Sequence, residues 1–170
     1  MFCEEYFRCE LDKPIEYYIE KIFIEHYIDS IMNSAYYEDA FVSEIVFQML
    51  PKDNKNDYNT IFIENFLTFP QYRHNGYGAA LLADTAECIC KINEKTESKT
   101  VSISGTLELK DYNFWKYSLP MYSFFAKSVI GPNAVCLING ETVEEDMLAE
   151  TAYKLNENNI AVNFEFSAEG

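Results

Sequence analysis

At residues 60–69 a run dominated by β-branched and aromatic side chains, among them Thr60, Ile61, Phe62, Ile63, Phe66, Thr68 and Phe69, breaks at Pro70. It restarts as a helical pattern at Tyr77. The first run has the residue types that fit a half-buried pleated strand. Beyond the break, Leu81, Leu82, Thr85, Ile89 and Ile92 recur at helical spacing to about residue 93. Between them stands Pro70-Gln71-Tyr72-Arg73-His74-Asn75-Gly76-Tyr77-Gly78, with two glycines where the helix begins. The first amides of a helix have no intrahelical acceptor, and the aligned peptide dipoles add partial positive charge there. Glycines lack the Cβ atoms that would hold a bulky anion away from that backbone, and Arg73 can add a charge-assisted contact. The segment 70–82 is therefore expected to be a pyrophosphate-binding turn that opens a helix. A Walker loop would need Gly-Lys-Ser/Thr, which is absent, and a dinucleotide fingerprint would need three glycines and an acid about twenty residues on.

The rest of the chain predicts one α/β domain over 1–170. A first strand is expected at 2–11. Asp12-Lys13-Pro14 is a helix-start signal, and the segment to about residue 32 reads as a helix with two apolar faces. One face carries Ile15, Ile19, Ile22 and His26, the other Tyr17, Ile24, Ile28 and Ile31. Strands are expected at 41–50 and 60–69 around a polar turn at 51–57, then at 100–107, 134–138 and 160–166. Ser118-Leu119-Pro120 starts a short helix to about residue 128. Thr142 and Glu145 form a capping box that opens a helix to about residue 156. The architecture is a three-layer α/β/α sandwich around a mixed, partly antiparallel sheet.

Charge narrows the partners. With 28 acidic against 13 basic residues the net charge is −15, which repels nucleic acid and anionic membranes and favours amines, polyamines or basic peptides. Five cysteines (Cys3, Cys9, Cys88, Cys90 and Cys136) include no Cys-x-x-Cys pair, and two histidines do not complete a usual zinc site. Reduced thiols and no bound metal are expected. No run approaches the roughly 18 apolar residues of a membrane span, and no signal peptide is evident, so a cytoplasmic location is expected.

The string from Arg73 to Gly78 resembles the signature of the GNAT superfamily of acyl-CoA-dependent N-acetyltransferases. That signature, Arg/Gln-x-x-Gly-x-Gly/Ala, is met by Arg73, Gly76 and Gly78. The resemblance implies a largely antiparallel sheet splayed at the cofactor site and acetyl-CoA as co-substrate. It implies that backbone groups of Phe66, Leu67 and Thr68 meet the pantetheine arm. The amides of His74, Asn75, Gly76, Tyr77, Gly78 and Ala79, with Arg73, would hold the pyrophosphate. Direct transfer in a ternary complex needs a base for the amine and an acid for the leaving thiolate. Tyr122 lines up with the family's tyrosine acid, although Ala126-Lys127 stands where Gly-Phe is usual, so Tyr117 and Ser118 stay as alternatives. Glu64 is the favoured base, with Glu108 or a water relay as alternatives. The expected acceptor is a primary amine of a small molecule or peptide, with a cationic one favoured by the charge. The alternative function is a catalytically degenerate CoA-binding sensor or scaffold. The 142–156 helix is a candidate acceptor-side element or homodimer surface.

Overall fold

The computed structural model describes residues 16–24, 28–50, 60–107 and 112–168. Its elements are strands β1 (Glu16–Ile24), β2 (Ile28–Tyr37), β3 (Ala40–Leu50) and β4 (Thr60–Thr68), a 3-10 turn at Pro70–Tyr72, and helix α1 (Tyr77–Thr96). There follow β5 (Ser102–Leu107), α2 (Tyr112–Val129), β6 (Val135–Ile138), β7 (Glu141–Thr142), a 3-10 turn at Glu145–Met147, α3 (Leu148–Glu157) and β8 (Val162–Ser167). The strands form one open sheet in the order β1-β2-β3-β4-β5-β8-β6-β7. Only β4 and β5 run parallel, and the other neighbours are antiparallel. The mixed α/β class, largely antiparallel and flanked by helices, is the one the sequence predicts.

Two expectations fail. The helix proposed for 12–32 is replaced over its described residues by β1 and β2, paired from Glu16–Tyr36 to Ile24–Ile28. Isoleucines spaced three or four apart look helical, but they are β-branched, stiff at χ1 and at home on a pleated surface. The expected strand at 2–11 lies outside the described residues. The capping box fails as well, since Thr142 pairs with Leu137 in β7 and the last helix begins at Leu148. Asn139 (φ 49°) and Gly140 (φ 83°) form the two-residue turn that joins β6 to β7. Asn-Gly is the usual sequence of such a hairpin.

The helices cover the face that carries the alternating apolar residues. Ile45, Phe47, Ile61, Ile103, Phe164 and Phe166 are almost fully buried there, beneath Leu81, Leu82 and Ile89 of α1 and Leu119 and Phe125 of α2. The helix α1 is also held by polar contacts, with buried Asn33 of β2 donating to both Asp84 and Thr85 at 2.9 Å. Helix α2 starts six residues before the expected Ser118 and carries Pro120 inside it. It is tied at its far end by Lys127, which pairs with Glu145.

Gly105 stands opposite Ile63, at the last pair that β4 and β5 share. A Cβ there would lie 2.6 Å from Phe164 Cζ and 3.2 Å from the Ile63 carbonyl oxygen. Gly105→Ala should therefore lower stability by about 1–3 kcal/mol through overpacking. Chemical denaturation measures this, and an unchanged midpoint would contradict the close approach.

Candidate functional site

Pairing between β4 and β5 runs only from Thr60–Ser102 to Ile63–Gly105. Past that point the strands diverge, and a cleft of about 690 Å³ opens between them. On its other side β4 stays paired with β3, with one interruption: Val46 faces Asn65 and Phe47 faces Ile63, so Glu64 is the extra residue of a β-bulge. Bulges re-aim side chains. Simple alternation puts Glu64 on one face with both Phe62 and Phe66; the bulge keeps Phe62 there and turns Phe66 to the helix face, against Tyr122.

The backbone beyond the bulge can be followed by direction. The Phe69 amide donates to Val42 of β3 at 3.1 Å, and the Leu67 carbonyl accepts from Ser43 Oγ of β3 at 2.9 Å. Backbone groups alternate sides along a strand, so those of Phe66 and Thr68 point into the cleft. There the Thr68 carbonyl accepts from Arg73 Nε at 2.8 Å. Of the three residues expected to present backbone groups, Leu67 turns its own towards β3 although it lines the cleft.

The turn after β4 brings the head of α1 to the same opening. Gly76 caps the helix with φ 83°, a left-handed conformation that glycine adopts without strain. The first bond of the helix runs from the Ala80 amide to the Gly76 carbonyl. Among the described residues, no acceptor stands against the amides of His74, Gly76, Gly78 and Ala79. No acidic residue occupies the first turn. Gly78 has a different use from the one expected of it: a Cβ would lie 2.9 Å from Thr68 Oγ1 and 3.1 Å from Phe66 Cζ. Its bareness lets the helix start press against β4. Tyr77 is buried against Tyr37 and Tyr72 and anchors the turn.

Arg73, His74, Gly76, Tyr77, Gly78 and Ala79 all line the cleft. Asn75 does not; its side-chain amide folds back to the carbonyls of Tyr72 and Arg73. Across the opening stands α2, which contributes Lys116, Tyr117, Ser118, Pro120, Met121 and Tyr122. The His74 ring meets the Tyr117 ring edge-on at 5.2 Å, and Lys116 Nζ sits 5.0 Å over Tyr117. A chain with a large negative charge thus places the cations Arg73 and Lys116 around this one opening, a placement that spacing alone does not reveal.

Tyr122 lies deeper. Its ring stacks on Phe164 at 4.8 Å and meets Phe66 edge-on at 5.7 Å. Burial pushes its hydroxyl well above the ordinary tyrosine range, and no hydrogen-bond partner stands against that hydroxyl among the described residues. Of the alternatives, Tyr117 is 47% exposed at the mouth, and Ser118 is half-buried beside it. Glu64 lines the cleft from the bulge and accepts from Ser30 Oγ at 2.7 Å. Glu108 and His26 lie outside the described residues. Phe164, Gly105 and Ser30 were not singled out by sequence, because each matters through a partner distant in the chain.

Among the described residues, no group of three or more His, Cys, Asp or Glu side chains is placed to hold a metal. Cys88, Cys90 and Cys136 form no disulfide. Burial, with the Asp84 carboxylate nearby, pushes the Cys88 thiol up to about 11. No described helix is long and apolar enough to cross a membrane.

No protein-family model matches the chain, and no curated protein matches it significantly. Solved structures do. One is Arabidopsis thaliana Naa50 in complex with the bisubstrate analogue CoA-Ac-MVNAL, at 16% identity and a TM-score of 0.48, covering 81% of this chain and 72% of that one. Another, from Bacillus anthracis str. Ames and described as a streptothricin acetyltransferase in complex with acetyl coenzyme A, has 15% identity and a TM-score of 0.48. It covers 87% of this chain, which spans 66% of that one. A third is a GNAT family acetyltransferase from Elizabethkingia anophelis with acetyl-CoA bound, at 12% identity and a TM-score of 0.45, covering 92% of this chain and 98% of that one.

The Tyr122 hydroxyl makes no contact whose loss would weaken the fold. Tyr122→Phe should leave stability within about 0.5 kcal/mol of wild type, as thermal unfolding would show. A large loss would mean that the hydroxyl is bonded within the core.

Proposed function

We propose that this chain is a GNAT-type N-acetyltransferase that moves the acetyl group of acetyl-CoA to a primary amine of a small molecule or peptide, by direct attack in a ternary complex. The observation that carries the reading is the splay of β4 from β5 beside a helix start with open amides. An extended polar arm needs backbone groups to pair with, and a pyrophosphate needs converging N–H donors in a positive field. The cleft offers both within one run of residues, 66–79.

On this reading the backbone groups of Phe66 and Thr68 pair with the pantetheine arm as a missing strand would. The amides of His74, Gly76, Gly78 and Ala79 receive the pyrophosphate, with the side chains of Arg73 and Lys116 nearby for its charge. Acetyl-CoA supplies a thioester-activated acetyl group. Glu64 takes one proton from the acceptor's ammonium group; the freed lone pair forms the new N–C bond as the C–S bond breaks, and the nitrogen gives up its second proton to water as the amide forms. Tyr122 gives its proton to the departing thiolate sulfur. Burial holds that proton on Tyr122 into alkaline solution, so the acid stays loaded where an exposed tyrosine would begin to ionise, near pH 10. The acceptor is expected to be cationic, since Glu64 meets it from an acidic chain.

Purified protein, acetyl-CoA and a broad panel of primary amines should release free CoA. Gly76→Glu places a carboxylate at the phosphate turn and should abolish acetyl-CoA binding, as read by calorimetry. Tyr122→Phe and Glu64→Gln should each cut turnover by roughly 10²-fold or more, with acetyl-CoA affinity little changed. Wild-type binding without any turnover would instead favour a CoA-holding sensor or scaffold.

A further inference from the structure

Ser30 is a hydroxyl in the wrong place for an idle one. It is fully buried at the start of β2, where an unpaired polar group costs about 1–3 kcal/mol. Its Oγ donates to Glu64 Oε1 at 2.7 Å, across 34 residues of sequence. The register explains how they meet. Ser30 and Phe62 stand on either side of the same β3 residue, Gln48. Glu64 has no β3 residue of its own to face, because it is the extra residue of the bulge. Its side chain reaches back over that row and finds Ser30. Oε2 of Glu64 has no partner among the described residues, and no described cation pairs with the carboxylate. Asn65, the next residue, donates to Glu44 of β3 at 3.5 Å, which leaves a second acid on this side. The cleft's cations, Arg73 and Lys116, belong to the turn and to α2.

We infer that Ser30 is a positioning residue for the Glu64 carboxylate, and that the pair receives the acceptor as an ammonium ion. This rests on the proposed role of Glu64. A glutamate has three rotatable side-chain bonds, and a bulge leaves its side chain without the cross-strand neighbour that would fix it. The buried hydroxyl supplies that constraint by holding one oxygen, and the other is left for the incoming N–H. A carboxylate with no cation beside it among the described residues attracts an ammonium group and then takes one of its protons, which leaves the neutral amine to attack.

The test compares wild type with Ser30→Ala, Ser30→Thr, Glu64→Gln and the Ser30→Ala/Glu64→Gln double variant. The assay uses acetyl-CoA with a panel of polyamines, small primary amines and lysine peptides. Ser30→Ala should lower kcat on the order of tenfold while the KM for acetyl-CoA stays within about twofold. Ser30→Thr, which keeps the hydroxyl, should restore most of the loss. In the Glu64→Gln background Ser30→Ala should add nothing, because the two act as one unit. A second measurement needs no acceptor: the Glu64 carboxyl ¹³C resonance, assigned by its loss in Glu64→Gln, should move in Ser30→Ala and return in Ser30→Thr. An unmoved resonance would overturn the inference, as would a fully active Ser30→Ala beside an inactive Glu64→Gln. An active Glu64→Gln would instead defeat the proposed role of Glu64, and this inference with it.

Discussion

Past Ile63 and Gly105, two parallel strands stop sharing hydrogen bonds, and the rest of the site depends on that separation. Backbone N–H and C=O groups left unpaired inside a protein are costly unless water or a ligand satisfies them. A sheet therefore splits only where something else keeps it open. Here the wedge is aromatic. Tyr122 of α2 stacks on Phe164 of β8 and meets Phe66 of β4, so rings from three elements fill the space beside the split. Gly105 completes the arrangement, because its missing side chain is the space that the Phe164 ring occupies.

The second device is the bulge at Glu64. One extra residue reverses the facing of everything after it, and so Phe66 reaches Tyr122 while Glu64 reaches Ser30 on the opposite side. A regular strand would put both side chains on one face and would separate the two groups proposed as acid and base less effectively. The turn that follows completes the electrostatics. Open amides, a helix start without acids, and the Arg73 and Lys116 side chains make a locally positive mouth on an acidic molecule.

Much of this is legible in the sequence, and the parts that are not share a cause. The strand-turn-helix at 60–93 is local: its β-branched run, its proline and its glycines each act on neighbouring residues. The strands at 41–50, 100–107, 134–138 and 160–166 also stand close to their expected bounds. The region of β1 and β2 misleads because isoleucine spacing suits a helix while isoleucine chemistry suits a strand, and strand pairing decides between them. Thr142 and Glu145 satisfy a capping pattern, yet Asn139-Gly140 closes a hairpin first and draws Thr142 into β7. The bulge cannot be read from β4 alone, since it exists only in the offset between two strands. Ser30 and Phe164 follow the same rule: each acquires its place from a partner brought near by folding. Tyr122 is legible only through resemblance, and the structure sets it against the cleft even though Ala126 and Lys127 depart from the usual pattern.

The central claim is that backbone groups from Phe66 to Ala79 grip an extended, diphosphate-bearing ligand. Amide NMR during titration with coenzyme A tests it most directly. The account predicts that the amides of Phe66, Thr68, Gly76, Gly78 and Ala79 shift together with one saturation curve and gain protection from hydrogen exchange. Saturable binding that leaves those amides unmoved, or no binding at millimolar coenzyme A, would contradict it.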